Sequence, residues 1–236
     1  AGKEKPRKGE QKLSSAALYA ALTASGELGA RADKADAKGD KSPKAHRGDT
    51  LGCANTYKDG GKENIRVNQD CSLRRQAEAV IAINPIDPDN MVAGQNESRV
   101  GFNKCGYAFT FDGGKTWGDM VPPFYQFLNQ DFTTFDACSD PTATFDADGN
   151  AYIGGVLFEI NYADSAFVVM KSNAGIGGAF YHTPNSALSF QEYRDTPVGV
   201  VANDNDPNIF HDKEFIVADA TASSPKADNV YATWTR

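Results

Sequence analysis

Residues 110–117, Thr-Phe-Asp-Gly-Gly-Lys-Thr-Trp, constrain the fold of this chain more than any other segment. The strand-like run at 107–109 leads directly into Asp112 and two glycines. Glycine adopts positive φ without a steric penalty, and an Asp carboxylate accepts backbone N–H groups across a turn. Thr116 and Trp117 then resume the strand, with the indole covering the open end. The segment therefore predicts a tight β-hairpin.

This segment resembles the Asp-box, or BNR repeat, which has the pattern S/T-x-D-x-G-x-T-W and recurs on the blades of sialidase-like β-propellers. The positions that define the box are Thr110, Asp112, Gly114, Thr116 and Trp117. In that family the box is structural and lies away from the active-site mouth. The resemblance therefore implies a fold and leaves the activity to be argued from other residues.

An internal repeat supports the same fold. Residues 79–94, 142–154 and 215–234 share one order of apolar strand, Asn or Asp, turn, Asn and second apolar strand. Each predicts a hairpin, and the spacing of Asn90, Asn150 and Asn229 fits large blades with long loops. A closed propeller has about four to eight four-stranded blades, and this chain supplies about two and a half. We therefore expect an all-β, partial propeller of the sialidase-like type, completed by a C-terminal continuation or by a second chain.

Residues 1–52 differ from the rest of the chain. They are rich in charged residues, Ala and Gly, and apolar residues at helical spacing occur only over 13–25. We expect a mostly irregular N-terminal arm with one short helix, followed by propeller blades over 53–236. No run of about 18 apolar residues predicts a membrane span.

The charge distribution bears on the partner. The net charge is −7, and residues 1–50 carry more basic than acidic side chains, so the acidic excess lies in the body. An acidic body argues against a nucleic-acid partner, because phosphate binding needs a basic face.

The chain has four cysteines, and none lies in a CxxC motif or near a histidine at metal-ligand spacing. We expect no zinc site and predict disulfides Cys53–Cys71 and Cys105–Cys138, the pairing that closes the shorter loops. Reduced, buried thiols are the alternative. Disulfides indicate a secreted or cell-surface protein. Residues 203–208 concentrate oxygen ligands that suit a structural Ca²⁺, the one cofactor that the sequence admits, although an acidic solvated loop is commoner.

Aligning the three hairpins on Asn84, Asp146 and Asp219 places charged residues at one shared position, where each innermost strand begins. These residues are Glu78, Asp140 and Lys213, with Asp212 beside the last. In a propeller these strand starts converge on one mouth of the central channel, so the side chains would form a ring that faces a ligand. The alternative is that they are solvated charges at strand edges.

The sialidase resemblance implies roles for further residues. Arg75, just before the first strand, would grip a substrate carboxylate, and Arg99 would assist binding. Glu97, which takes the place of the family's Asp, would act as acid or base, with Asp140 as a second catalytic candidate. Asn96 also opens an N-glycosylation sequon.

Two functions follow from these residues. The first is a glycan-directed protein of glycoside-hydrolase type, an exo-glycosidase whose partner is a glycan or glycoprotein. The second is a non-catalytic propeller for adhesion, binding or extracellular assembly. The absence of the family's Ile-Pro element and the Glu97 exchange favour the second.

Overall fold

The computed structural model describes residues 56–59, 62–68, 76–98, 103–122, 124, 135–160, 164–172, 182–183, 186–187 and 199–236. The predicted arm lies outside these residues, and so do the short helix over 13–25 and the side chains of Cys53, Cys71, Arg75 and Arg99.

The described secondary structure consists of β-strands. The strands are β1 (Thr56–Asp59), β2 (Lys62–Ile65), β3 (Gln76–Ile83), β4 (Met91–Glu97), β5 (Lys104–Thr110), β6 (Gly118–Met120), β7 (Ala137–Phe145), β8 (Ala151–Phe158), β9 (Ser165–Lys171), β10 (His182–Thr183), β11 (Ser186–Ala187), β12 (Gly199–Asp204), β13 (Asp212–Ala218) and β14 (Val230–Thr235).

Two four-stranded sheets dominate the fold. In the first, the order β3-β4-β5-β6 follows the chain, and in the second the order is β7-β8-β9-β12. Three two-stranded sheets, β1-β2, β10-β11 and β13-β14, complete the set. All described pairings are antiparallel, which confirms the all-β class. The described strands form no closed sheet, so the propeller stays a prediction.

The three predicted hairpins are confirmed as β3–β4, β7–β8 and β13–β14. Each turn is closed at its base by a hydrogen bond from the backbone N–H of the Asn or Asp anchor to the carbonyl of the shared Asn. The bonds are Asn84 to Asn90 (3.0 Å), Asp146 to Asn150 (3.1 Å) and Asp219 to Asn229 (2.9 Å). Asn and Asp suit these positions because their short polar side chains also bond to the turn. The turns therefore fix the register of the strands that follow and precede them.

The box at 110–117 is held together by its own side chains. Thr110 Oγ1 accepts the Gly114 backbone N–H at 3.1 Å and donates to Asp112 Oδ1 at 2.8 Å. The Asp112 carboxylate accepts the Thr116 N–H at 2.9 Å and the Thr116 hydroxyl at 2.6 Å. Trp117 Nε1 donates to the Gly114 carbonyl at 3.0 Å. Each conserved position of the Asp-box pattern thus has a structural task in the turn.

The second strand of this hairpin begins later than the sequence predicts. β6 starts at Gly118, which pairs with Phe109, whereas Thr116 and Trp117 belong to the turn. The reason is that Asp112 occupies the backbone N–H of Thr116, which then cannot join the ladder. Gly118 is required at the start of β6, because a Cβ there would lie 2.5 Å from Phe109 Cζ.

Successive sheets pack on one another through their first strands. Val80 and Ala82 of β3 pack against a buried core cluster that includes Ala143 and Phe145 of β7. The opposite face of β7 meets β13, where Thr142 Oγ1 accepts the backbone N–H of Ile216 at 3.1 Å. β7 is therefore the central strand of a three-sheet stack.

A disulfide between Cys105 of β5 and Cys138 of β7 joins the first two sheets, as the sequence predicts. The two sulfurs lie against Gly155 of β8, where a Cβ would meet them at 2.7 and 2.8 Å. The pairing of Cys53 and Cys71 lies outside the described residues. Across the part of the chain that is described, no helix has the length and apolarity needed to cross a membrane.

Candidate functional site

The first strand of each of the three hairpins, β3, β7 and β13, carries a β-bulge near its start. The register of pairing shifts between Ala77 and Val80 in β3, between Ser139 and Thr142 in β7, and between Asp212 and Phe215 in β13. Inside each bulge, one non-glycine residue has a left-handed backbone: Glu78 (φ 54°), Asp140 (φ 54°) and Lys213 (φ 51°). This conformation is costly for residues with a Cβ and is concentrated at functional sites. A bulge also redirects the side chain of the residue it holds.

The structure brings these three side chains together. Lys213 Nζ lies 3.1 Å from Glu78 Oε1 and 3.1 Å from Asp140 Oδ2. The side chain of Asp140 is only 6% exposed, whereas that of Lys213 is 52% exposed. The cluster therefore reaches from the buried edge of β7 to solvent, and its accessible group is the ammonium.

Asn96 positions Asp140 and Glu78 from the first sheet. Its side-chain carbonyl accepts the Asp140 backbone N–H at 2.9 Å, and its amide donates to Ser139 Oγ at 3.1 Å and to the Glu78 carboxylate. The Ser139 hydroxyl in turn donates to Asp140 Oδ1 at 2.6 Å. Because Asn96 is buried and its amide is engaged, the sequon that it opens is inaccessible in the folded chain.

The charged groups in this cluster change one another's pKa values. Burial, followed by hydrogen bonding and repulsion from Glu78, raises the pKa of Asp140 to about 6, against the opposing effect of Ser139 and Lys213. Burial lowers the pKa of Lys213, but the Asp140 and Glu78 carboxylates outweigh it and raise that pKa to about 12. At neutral pH the ammonium is charged, and Asp140 titrates close to the range in which general acids and bases work.

Glu214, which follows Lys213 in the sequence, is a buried acid beside this cluster. It lies on the inward face of β13, and neither of its carboxylate oxygens makes a hydrogen bond of acceptable geometry. Burial, followed by the negative charge of Asp140, raises its pKa well above the usual value, while the backbone N–H groups of Val156 and Glu214 itself oppose the rise. The alternation of side chains along β13 does indicate that Glu214 is buried, because it places residue 214 on the same face as Ile216.

Two of the other candidate residues, Glu97 and Asp212, lie in the described strands next to residues of this cluster. Glu97, at the end of β4, is fully buried and accepts a hydrogen bond of 3.2 Å from Gln76 Nε2. Asp212 begins β13 opposite Thr235 of β14. Arg75 and Arg99 lie outside the described residues. The described part of the site therefore consists of Glu78, Asp140 and Lys213 with their supports.

A second polar cluster joins the ends of β12, β13 and β14. Asp204 accepts hydrogen bonds of 3.2 and 3.0 Å from the Arg236 guanidinium. His211 Nε2 lies 2.9 Å from Asp204 Oδ2, an ion-pair distance whose angle does not meet hydrogen-bond geometry. Burial lowers the pKa of His211, although Asp204 opposes this shift. No local sequence pattern predicts this cluster, because Arg236 lies 32 residues beyond Asp204.

In the loop at 203–208, the two carboxylates of the predicted Ca²⁺ site have hydrogen-bond partners within the protein. Asp204 is engaged by Arg236, and Asp206 Oδ1 accepts both the backbone and the side-chain amide of Asn208 at 2.9 Å. In the residues described, no group of three or more His, Cys, Asp or Glu could hold a metal ion.

No protein-family model, no curated protein and no solved structure matches this chain.

Proposed function

We propose that this chain supplies blades of a sialidase-like β-propeller that is secreted or exposed at the cell surface, and that it acts on glycans as a glycoside hydrolase. The site is the cluster of Glu78, Asp140 and Lys213. The observation that carries the proposal is their convergence: three equivalent bulged residues, all with left-handed backbones, meet within ion-pair distance. Bulges and strained backbone conformations are concentrated at binding and active sites. Here the strained residues occupy equivalent positions in the repeat and meet at one point.

The chemistry of the cluster suits glycoside cleavage. A glycosidase needs a carboxylic acid with a raised pKa to protonate the leaving oxygen, and a second carboxylate nearby. Asp140, with a pKa of about 6, fits the first role, and Glu78 fits the second. Both carboxylates contact the same ammonium and lie close enough to each other for Glu78 to raise the pKa of Asp140.

Lys213 has the binding role in this proposal. Its ammonium is half exposed and offers donors to sugar hydroxyls or to the carboxylate of an acidic sugar. Arg75 and Arg99, from the sequence, would add bidentate contacts to such a carboxylate. Glu97 is fully buried, so the proposal assigns the acid to Asp140, the second catalytic candidate from the sequence.

The test is turnover of 4-methylumbelliferyl glycosides, one sialoside and several neutral sugars, by the purified protein. We expect release of the fluorophore from at least one, and Asp140→Asn to lower kcat/KM by about 100-fold or more. Asp148→Asn, a matched change in the exposed turn between β7 and β8, should have no effect. Failure to cleave any substrate contradicts the hydrolase proposal.

Non-catalytic glycan binding is the second candidate, and a specific observation favours it. Asp140 is buried and ion-paired, so Lys213 is the member of the cluster most open to a ligand. On this reading, a glycan array would show binding that Lys213→Ala removes and Asp140→Asn preserves, without turnover.

A further inference from the structure

Two sheet faces of this chain expose large apolar side chains side by side. On β13 and β14, Phe215, Val217 and Tyr231 are 56%, 50% and 48% exposed and lie on one face, since Val217 pairs with Tyr231. On β3, Ile81 and Ile83 are exposed to a similar extent. We name these the 215 face and the 81 face. Neighbouring exposed aliphatic and aromatic side chains on a sheet are typical of a surface that packs against another sheet.

The internal repeat shows what each face is built to meet. When the three hairpins are aligned on Asn84, Asp146 and Asp219, the first strand of each hairpin has two alternating sets of residues. The first set is Ile81 and Ile83 in β3, Ala143 and Phe145 in β7, and Ile216 and Ala218 in β13. The second set is Val80 and Ala82, Thr142 and Thr144, and Phe215 and Val217. Because side chains alternate along a strand, the two sets lie on opposite faces of their sheets.

Within the chain, the second set of one strand always packs on the first set of the next. Val80 and Ala82 pack on the core cluster to which Ala143 and Phe145 belong. In the next pair of sheets, Thr142 Oγ1 accepts the Ile216 backbone N–H, and Thr144 Oγ1 accepts the Ala218 backbone N–H, both at 3.1 Å. The second set therefore faces the first set of the next strand at both junctions, through apolar packing between β3 and β7 and through hydrogen bonds between β7 and β13.

The two exposed faces are the unmatched halves of this contact. Among the described residues, no strand covers the 215 face, which is a second set, or the 81 face, which is a first set. They belong to the two outer members of the stack, β13 and β3, so they point away from each other. Each face has its complement on another copy of the same molecule.

We propose that the 215 face of one copy packs on the 81 face of a second copy, extending the interface that joins β3 to β7 and β7 to β13. Such a contact is head-to-tail, because it joins different faces of the two copies. It forms a closed ring only if the rotation that relates one copy to the next returns to the starting copy. Each copy has two four-stranded sheets and the two-stranded sheet β13-β14, about two and a half blades, so two copies would give about five, within the about four to eight blades with which propellers close. Burial of the apolar faces is the driving force. This inference does not depend on the hydrolase proposal.

The test uses complementary charged variants of the 236-residue chain and sedimentation velocity. The first variant is Ile81→Glu with Ile83→Glu, and the second is Phe215→Lys with Val217→Lys. We expect the wild type to sediment as a dimer and each variant alone to be monomeric, with a dissociation constant raised by about 100-fold or more. Mixing the two variants should restore a dimer, because one interface is unaltered and the other joins glutamates to lysines.

The matched control is Ile86→Glu, which places a charge on a highly exposed turn residue outside both faces and should leave the dimer intact. Circular dichroism verifies that every variant keeps the wild-type strand content. A monomeric wild type at high micromolar concentration overturns the proposal. A dimer that both variants retain overturns it as well, because the two faces would then play no part in association.

Discussion

Lys213 and Asp140 form an ion pair that joins β13 to β7, with Nζ 3.1 Å from Oδ2. The two partners differ in environment, since the carboxylate is buried and the ammonium is half exposed. The same ammonium lies 3.1 Å from Glu78 of the first sheet. One cation thus neutralises two carboxylates from different sheets, and removing it leaves two like charges facing each other in a buried setting.

Replacing Lys213 with Met should therefore raise the pKa of Asp140 above about 6, since the favourable charge is lost and the repulsion from Glu78 remains. At pH 7 we expect a loss of roughly 1 kcal/mol in the free energy of unfolding, a modest value because the ammonium is half exposed. At pH 4 the loss should be smaller, because Asp140 is then protonated in either protein. Urea unfolding at both pH values measures the loss, and carboxyl ¹³C NMR measures the pKa. Lys226→Met, at an exposed turn, is the control and should change neither.

The raised pKa of Asp140 also gives the stability a definite dependence on pH. Its native pKa of about 6 lies above its ordinary value of 3.8, so the native state binds more protons than the unfolded state between these values. The contribution of Asp140 to the free energy of unfolding is therefore fully present below about pH 4 and is lost as pH rises through about 6. The full loss is roughly 3 kcal/mol, at about 1.4 kcal/mol per pH unit, and roughly 2 kcal/mol of it falls between pH 4 and pH 7.

Asp140→Asn removes this titration. Relative to wild type, the variant should become more stable by roughly 2 kcal/mol as pH rises from 4 to 7, since Asn carries no charge. Urea unfolding at intervals of half a pH unit measures the difference. A difference that is flat over this range would show that Asp140 titrates normally in the native chain.

Aligning the repeats was sufficient to predict that Glu78, Asp140 and Lys213 meet. The prediction was possible because Asn84, Asp146 and Asp219 anchor their turns, and an anchored turn fixes the position of every residue in the strand before it. The hairpin at 110–117 was predictable for a similar reason, since its bonds are local to eight residues.

What the sequence did not predict depends on contacts between sheets. Asn96 looked like the acceptor of a glycan, yet its amide is buried between the first and second sheets. No sequence pattern predicts the left-handed backbone at Glu78 and Lys213, because Glu and Lys rarely adopt it. The pairing of Asp204 with Arg236 needs β12 and β14 to end side by side, which no local pattern indicates. Tertiary packing therefore determines the supports of the site, while local sequence determines its main residues.

Gly155→Ala should destabilise the fold, because the sulfurs of the Cys105–Cys138 disulfide fill the space next to Gly155 of β8. The new Cβ would lie 2.7 Å from Cys105 Sγ and 2.8 Å from Cys138 Sγ, so we expect a loss of about 2 kcal/mol from overpacking. In a Cys105→Ala, Cys138→Ala background the sulfurs are absent, and the same change should cost less than about 1 kcal/mol. That background is itself destabilised by about 3–4 kcal/mol through loss of the cross-link.

Gly154→Ala is the matched control for this cycle. Its Cβ would lie 2.8 Å from the backbone carbonyl of Val168, which is present in both backgrounds, so its penalty should be the same in each. Thermal unfolding of all six proteins measures the coupling. Equal penalties for Gly155→Ala in the two backgrounds would contradict the packing role of the sulfurs.

Asp112 should keep the 110–117 turn closed in mild acid. Hydrogen bonds from the Thr116 hydroxyl and then from its backbone N–H lower the pKa of Asp112 to about 2. A lowered pKa means that the ionised group stabilises the fold above its ordinary value of 3.8 and that this contribution is lost as pH falls through about 2. Trp117 reports on the turn through its bond to Gly114, and a Trp234→Phe background makes it the only fluorophore of its kind.

In that background, Trp117 emission should stay native-like as pH falls from 5 to 3 and change as pH approaches 2. Asp112→Asn should give the altered emission already at pH 7, because an amide nitrogen cannot accept the Thr116 donors that the carboxylate holds. Asp148→Asn, in a different turn, should leave the titration unchanged. If Asp112→Asn retains the wild-type emission and pH profile, then Thr110 and the glycines hold the turn without the carboxylate, and the Asp of the box has no structural role in this chain.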